Sequence, residues 1–308
     1  MIRFITEHKD HFGVEFICET LSEHTDGGFI TSRGYRAARA REKSARAISD
    51  EQLMPVIKNI HEANYSVYGV RKMWRAMTRA GWRIGRDRLA RLMRALGLRG
   101  VTRGRAPVTT HPAEVPDKRA DHLRRDFTAA APNRVWVADL TYVRTKHGFC
   151  YTAFVTDVFS RKIVGWAVST SLKTDHLPLQ ALEHALYSLP AQHDPESKHR
   201  LIHHSDRGCQ YVSLRYTEAL EDAKVIPSVG SVGDSYDNAL AETVNGLYKT
   251  ELIYSKTTWA SASAVELATM EWVLWWNTTR LHESLDYATP QEAETAYHEN
   301  RDQVLVPA

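Results

Sequence analysis

Three carboxylates stand in settings unlike those of the chain's other acids. Asp139 interrupts an alternating run, Val135-Trp136-Val137-Ala138-Asp139-Leu140-Thr141-Tyr142-Val143. Asp206 ends Leu201-Ile202-His203-His204-Ser205-Asp206 and is followed by Arg207-Gly208. Glu242 ends Asp237-Asn238-Ala239-Leu240-Ala241-Glu242. Carboxylate oxygens are hard donors, and Mg²⁺ takes one or two of them while keeping its other positions for water and phosphate oxygens. Three such groups, brought in by a strand, a strand end and a helix, can hold two ions about 4 Å apart for in-line attack at phosphorus. Spacing alone carries little, because 37 Asp plus Glu in 308 residues make almost any interval occur somewhere. The setting carries the reading.

The helix that must present Glu242 is predicted over Tyr236 to Leu252. Leu240, Val244 and Leu247 recur at i, i+4 and i+7 as one apolar stripe, and Asn238, Glu242, Asn245 and Lys249 fall on nearly the opposite side. At 100° per residue, Glu242 and Lys249 differ by about 20° in azimuth and lie two turns apart. A carboxylate and an ammonium on one face suit a surface that follows a phosphate backbone. Taken alone, the same pattern is equally that of an amphipathic helix showing its polar side to water.

Composition bounds the rest. The length of 308 residues allows two domains, and 43% hydrophobic with 25% charged content is that of a soluble globular chain. No apolar run approaches the ~20 residues of a membrane span, and the charged start Met1-Ile2-Arg3-Phe4-Ile5-Thr6-Glu7-His8-Lys9-Asp10 is unlike a signal peptide. Three cysteines, Cys18, Cys150 and Cys209, form no CxxC pair, which points to a reducing cytosol and away from structural zinc. The net charge of +3 hides an asymmetry: Arg33 to Ala106 holds 19 Lys plus Arg against 5 Asp plus Glu, net +14, which leaves the remainder at −11. A basic segment on an acidic remainder calls for a polyanion, nucleic acid above all.

Along the chain, residues 1–48 form an N-terminal helical segment, with a short helix around Phe12–Leu21 and an Arg/Ala-rich helix over Tyr35–Arg46. Residues 49–99 form a three-helix unit. Ser49-Asp50-Glu51-Gln52 reads as a capping box with Ile48 and Leu53 as its staple. Leu53, Val56, Ile57 and Ile60, then Val70, Met73, Trp74 and Met77, then Leu89, Leu92, Met93 and Leu96 repeat one helical spacing. Gly81 and Gly85 break the chain before a last helix carrying Arg86, Arg88, Arg91 and Arg94, which makes a helix-turn-helix. A three-helix linker without base contact is the alternative.

Residues 100–132, with Pro107, Pro112, Pro116 and Pro132, read as a linker. From there Arg134–Val143, Phe149–Val158 and Lys162–Val168 are strands joined by short turns, hence antiparallel neighbours. A helix at Thr174–Leu189, a strand at Arg200–His204, a helix at Leu214–Ala223 and a strand at Val225–Ser228 complete a mixed α/β sheet within 133–254. Val229–Asp234 reads as a flexible active-site loop. In the helical extension 255–308, Trp272, Trp275 and Trp276 fit a buried helix face better than a base-stacking platform, and residues after Tyr287 are polar and helical at best.

Other chemistries are weaker. His203, His204 and Cys209 lack the second close pair a zinc site needs. Ser205 has no Gly-x-Ser-x-Gly elbow around it. Asp157 reads as a structural partner near a strand end.

The segments Trp136-Val137-Ala138-Asp139-Leu140-Thr141-Tyr142, His203-His204-Ser205-Asp206-Arg207-Gly208, Asp237-Asn238-Ala239-Leu240-Ala241-Glu242 and Tyr248-Lys249-Thr250-Glu251-Leu252 resemble the integrase core of DDE transposases. The nearest resemblance is to the OrfB transposases of the IS-three family of bacterial insertion sequences, and it covers nearly the whole chain. Tyr68-Gly69-Val70-Arg71 and Arg91-Leu92-Met93-Arg94-Ala95-Leu96-Gly97-Leu98 are similar to that family's upstream helix-turn-helix, and Trp276-Asn277-Thr278-Thr279-Arg280-Leu281-His282 to its C-terminal Asn-x-x-Arg-x-His segment. Many relatives carry Pro where this chain has Leu281.

The resemblance implies an RNase H-like core with a mixed five-stranded sheet and helices on both faces, preceded by an all-α helix-turn-helix domain. It implies Asp139, Asp206 and Glu242 as catalytic ligands of two Mg²⁺ ions, with Mn²⁺ able to substitute. Lys249 is expected on the element end, and Arg71, Arg86, Arg88, Arg91 and Arg94 on DNA. The expected partners are double-stranded terminal inverted repeats and target DNA, a second copy of the chain, and the product of an upstream frame (OrfA). No membrane is expected; the expected location is the bacterial cytosol, at the nucleoid. A repurposed DNA-binding protein without catalysis and a nuclease that only hydrolyses are the competing functions.

Overall fold

Alternation at 135–143 becomes β1 (Val135–Thr145), paired antiparallel with β2 (Gly148–Asp157), which pairs antiparallel with β3 (Ile163–Ser169). The computed structural model describes residues 1–102, 128–171, 177–189, 201–205, 214–229 and 239–305. β4 (Ile202–Ser205) and β5 (Ile226–Val229) add in parallel, so the sheet order is β3-β2-β1-β4-β5. The five-stranded mixed sheet is as the sequence reading has it.

The period of two sorts the core into two layers. Trp136, Ala138, Ala153 and Val155 face one side and pack with Leu177, Ala181, Leu182 and Ala185 of α7 (Leu177–Tyr187) and with Tyr216 and Leu220 of α8 (Leu214–Asp222). Val135 and Val137 face the other side, against Ala241 and Leu240 of α9 (Ala239–Glu251). On this second side Phe154 meets Tyr248 of α9 and Trp272 of α10 (Ala262–Thr278), with ring centres 4.9 and 5.9 Å apart. The Tyr248 hydroxyl lies within hydrogen-bond reach of both Thr152 Oγ1 (3.3 Å) and Thr269 Oγ1 (2.7 Å), so its burial leaves no orphan. The Trp-rich stretch is a buried face: Trp272, Trp275 and Trp276 are all in the core.

The chain divides into two compact units, Met1–Val56 and Ile57–Ala308. In the first, α1 (Ile2–Phe12) and α2 (Val14–His24) break at Gly13, where one helix was expected around Phe12–Leu21. They pack with α3 (Ser32–Ala40) around Ile5, Ile17, Cys18 and Tyr35. The expected capping box at Ser49 is not the start of a helix. α4 (Ala45–Ala63) begins a turn earlier, where Ser44 Oγ accepts a hydrogen bond from Ala47 N at 3.2 Å, and Ile48 is exposed rather than stapled. Ala45-Arg46-Ala47 are strong helix formers, and they carry the helix back past the polar signal.

In the second unit, α5 (Val70–Arg79) and α6 (Arg86–Ala95) form the expected pair. Gly81, at φ +84, closes α5 with Trp82 N donating to Met77 O and Gly81 N to Thr78 O. Trp74 Nε1 donates to Ile84 O across the turn. Of the stretch read as a linker, residues 103–127 lie outside the described residues. Downstream, Thr289-Pro290-Gln291-Glu292 starts α11 (Pro290–Leu305): Thr289 Oγ1 accepts from Glu292 N, and Thr289 N donates to Glu292 Oε2. This is a capping box with Pro at its first helical position, where the sequence reading had little more than polarity.

Between α10 and α11 lies His282, buried with its Nε2 3.2 Å from Trp276 O. Burial and the neighbouring Arg280 guanidinium push its pKa down from 6.5 to about 2. The folded chain therefore keeps it neutral where the unfolded chain protonates it. Its contribution to stability is present above about pH 6.5 and is lost as pH falls. From this group alone, stability should drop by roughly 2 kcal/mol between pH 7 and pH 5. His282→Asn keeps a donor for Trp276 O and does not titrate, so urea midpoints of the variant should depend less on pH over that range; an unchanged slope excludes His282 as the source.

Candidate active site

Asp139 occupies β1 one residue past the point where its ladder with β4 ends, at the Ala138–Ser205 pair. In the same sheet row Ser205 pairs with Val229, the last residue of β5. Beyond this level, among the described residues, β1 continues beside β2 and meets Trp259 at its far end, Thr145. Asp139 lies on the α9 side of the sheet, opposite Phe154 of β2. Its carboxylate accepts from Leu140 N at Oδ1 (2.8 Å) and from Asn245 Nδ2 at Oδ2 (2.9 Å).

Glu242 is exposed in the first turn of α9, where the positive helix end favours a carboxylate. It stands three residues before Asn245, so the two are neighbours on one helix face, about 5–6 Å apart at Cβ. The strand of Asp139 and the helix of Glu242 thus meet at the Asn245 amide. Asp206 lies outside the described residues, as does 230–234 of the expected active-site loop.

Lys249 Nζ sits 4.4 Å from the centre of the Tyr142 ring, and Tyr142 in turn meets Phe149 edge-on at 5.5 Å. Partial burial lowers the Lys249 pKa, against the pull of the Asp139 charge, which raises it. One face of α9 therefore carries an acid at its start and a half-buried ammonium two turns on, the ammonium within the field of Asp139.

The face assigned to Asn245 needs correction. Ala241, Val244, Asn245, Tyr248 and Glu251 are the buried positions of α9, whereas Leu240 and Leu247 are half-exposed. The buried stripe is rotated by about one residue, because Tyr248 rather than Leu247 fills the space between α9 and the sheet, and Ala241 is buried there with Leu240 at its edge. Asn245 is therefore turned inward, and among the described residues its buried Oδ1 has no hydrogen-bond partner. Sequence reasoning missed it; the i, i+3, i+7 row Ala241, Val244, Tyr248 was the signal that could have found it.

The arginines divide. Arg86, Arg91 and Arg94 are exposed on α6 and Arg88 is half-exposed, while Leu89, Leu92 and Met93 fill the other side. Arg71, on α5, donates to Glu283 Oε1 at 2.7 Å. The weighed zinc ligands have other engagements: His203 Nε2 lies 3.1 Å from Tyr216 Oη and His204 Nδ1 2.9 Å from Ser228 Oγ. Cys209 is outside the described residues. No group of three His, Cys, Asp or Glu suited to a metal occurs among the described residues. Also among them, no helix is long and apolar enough to cross a membrane.

Comparison with known proteins agrees with this layout. Residues 129–235 and 223–290 match models of the integrase core domain, and residues 49–106 match an HTH-like domain. The chain is 42% identical over 302 residues to the transposase for insertion sequence element IS629 of Shigella sonnei, covering 97% of each chain. It is 48% identical over 261 residues to a protein of insertion sequence element IS986/IS6110 of Mycobacterium tuberculosis, covering 85% of this chain and 93% of that one. The transposase for IS904 of Lactococcus lactis is 31% identical over 256 residues, 82% of this chain and 98% of the relative. With an integrase-type sheet, a helix-turn-helix before it and these relatives matched along nearly their full length, the chain belongs to the insertion-sequence transposases of the IS-three OrfB type, which cleave DNA and transfer strands.

Proposed function

We propose that Asp139, Asp206 and Glu242 are the catalytic carboxylates with which this transposase cuts the ends of its element and joins them to new DNA. The observation that carries the reading is the hydrogen bond from Asn245 Nδ2 to Asp139 Oδ2, which seats the helix of Glu242 on the strand of Asp139.

The donors present fit a hard divalent cation. Asp139 and Glu242 offer carboxylate oxygens, and the amide held against Asp139 has a buried oxygen, Asn245 Oδ1, without a partner among the described residues. Mg²⁺, or Mn²⁺ in its place, is the ion proposed, as two ions held by Asp139 and Asp206 with Glu242 completing one of them. When bound, they would polarise the scissile phosphate and activate the attacking oxygen.

The chain's own residues do the rest. Leu140 N and Asn245 Nδ2 fix both oxygens of Asp139, so the carboxylate is oriented before substrate arrives. In this reading Lys249 pairs with a phosphate of the element end, and Arg86, Arg88, Arg91 and Arg94 hold the duplex on α6. Two in-line displacements follow in one site. Water opens a phosphodiester and frees a 3′ hydroxyl, and that hydroxyl attacks a second phosphodiester, often at the other end of the element. Two ends call for at least two copies of the chain, and the upstream-frame product is a proposed further partner. The proposed setting is the bacterial cytosol at the nucleoid.

The test uses a labelled duplex ending in the inverted repeat that flanks the gene, with Mg²⁺ or Mn²⁺, with and without the upstream-frame product. Cleavage at the end and joining of a precut 3′ hydroxyl are the expected products. Cleavage without joining would assign a hydrolytic nuclease instead.

Lys249 has a separate expectation. Lys249→Ala should weaken end binding about tenfold and lower the slope of log affinity against log salt by about one. An unchanged slope would remove Lys249 from the phosphate contacts.

A further inference from the structure

The Asn-x-x-Arg-x-His segment has no place in the chemistry above, yet its Arg280 and His282 are buried. Arg280 is 3% exposed and its partner Glu251 is 4% exposed. The pair is bidentate: Arg280 Nε donates to Glu251 Oε2 at 2.9 Å and Nη2 to Oε1 at 2.6 Å. The guanidinium lies over Trp276, 4.5 Å from the ring centre. Glu251 is the last residue of α9, the helix of Glu242, Asn245 and Lys249.

The other end of the segment holds the residues just before and within the helix-turn-helix. Leu281 N donates to the buried Tyr68 hydroxyl at 2.7 Å. Trp275 Nε1 donates to Asn64 Oδ1 at 3.3 Å, and its ring packs on Tyr65 at 4.8 Å. Further along, Arg71 pairs with Glu283, Arg75 lies 4.7 Å from the Tyr287 ring centre, and Arg79 pairs with Glu292. The base is pinned to the sheet: the Asn277 side chain bonds both Ile163 N and Ile163 O at 2.9 Å, and Trp276 Nε1 donates to Arg161 O at 2.8 Å.

We infer that residues 275–282 form a strut that couples the helix-turn-helix to α9, with Glu251 and Arg280 as positioning residues for the carboxylate site. The inference rests on the proposed role of that site. Two physical points favour coupling over simple packing. A buried ion pair is a poor source of stability, since apolar side chains of equal volume usually hold a core as well or better. What it fixes is geometry, because bidentate pairing allows one arrangement. And α9 is a rod: Glu251 and Glu242 are nine residues, about 14 Å, apart along one helix. A shift at Glu251 therefore moves Asn245 on Asp139.

The test compares the full chain with Glu251→Gln, Tyr68→Phe and the double variant, each shown to be folded by its urea midpoint. The DNA is the flanking inverted-repeat duplex. The coupled strut gives end affinities within about twofold of the parent. It also gives at least a tenfold loss of cleavage rate at saturating DNA, and loss of the slowing of amide exchange in α9 that DNA binding produces in the parent. The double variant loses no more than the worse single, because both changes break one connection. Where Glu251→Gln fails to fold, Glu251→Met with Arg280→Met removes both charges and reads the same quantities. Parent-like cleavage and parent-like α9 protection in folded variants overturn the strut, and so do additive losses. Should the parent bind the duplex without cutting it, the proposed function fails while the α9 exchange still decides the coupling.

Discussion

Asp139→Asn is expected to abolish cleavage of the labelled element end, by at least about 10³-fold or roughly 4 kcal/mol of barrier, with end binding unchanged within about twofold. The substitution is close to isosteric. Asn can keep one of the two hydrogen bonds, from Leu140 N or from Asn245 Nδ2, but not both, because its amide nitrogen does not accept. The fold should therefore survive with a loss of about 1 kcal/mol. What disappears is a negative charge on the α9 side of the sheet, where the proposed hard cations need it. The loss also removes the favourable field on Lys249, whose pKa should fall further below the ordinary lysine range. A cleavage assay beside a gel-shift titration checks both arms. Persistent strand transfer by the variant ends the carboxylate account; lost DNA binding would mean that Asp139 shapes the duplex surface as well.

Most of the fold was legible because local and tertiary signals agreed. The alternation at 135–143, the β-rich run at 149–158 and the short turn between them give β1 and β2 as antiparallel neighbours, as observed, and the glycine at 81 ends α5 where the apolar spacing stops. Disagreement arose where tertiary packing chose among rotations or starts that the sequence left nearly equal. On α9, the aromatic Tyr248 fits the slot between Phe154 and Trp272, and that choice turns the whole helix so that Asn245 reaches Asp139. At α4, Ser49 and Ser44 both offer a cap, and the alanines between them decide for Ser44.

The site was legible only as a set of separate segments. Nothing local in the sequence announces that the amide at 245 would be the contact between strand and helix. Nor does it announce that Arg280, thirty residues on from Thr250, would close onto Glu251. Those are long-range facts, fixed by the sheet order and by the seating of α10.

Gly165→Ala is expected to be among the most damaging single-methyl changes in the chain, lowering stability by about 3 kcal/mol or more. β3 passes so close under α7 that a Cβ at 165 would lie 2.1 Å from Ala181 O and 2.7 Å from Ala185 N. Both are backbone atoms, so no side-chain rotation relieves the clash. α7 must lift away, and with it go the contacts of Leu177, Ala181, Leu182 and Ala185 with the sheet. A companion variant separates this cause from backbone strain. Gly148 has φ +107 in the β1–β2 turn and open space around it. Gly148→Ala should therefore lose only the strain energy, about 1–2 kcal/mol, with α7 undisturbed. Urea midpoints should rank parent above Gly148→Ala above Gly165→Ala, and α7 amides should exchange faster in the last alone. Ala185→Gly should not rescue Gly165→Ala, since Ala181 O remains in the way; full rescue, or a Gly165→Ala midpoint equal to the parent's, would show that α7 does not sit this close to β3. Because α9 lies on the opposite side of the sheet, the surviving folded fraction of Gly165→Ala should keep the Asp139–Asn245 contact. Its cleavage per folded molecule should then stay near that of the parent, which makes this variant the stability counterpart of Asp139→Asn.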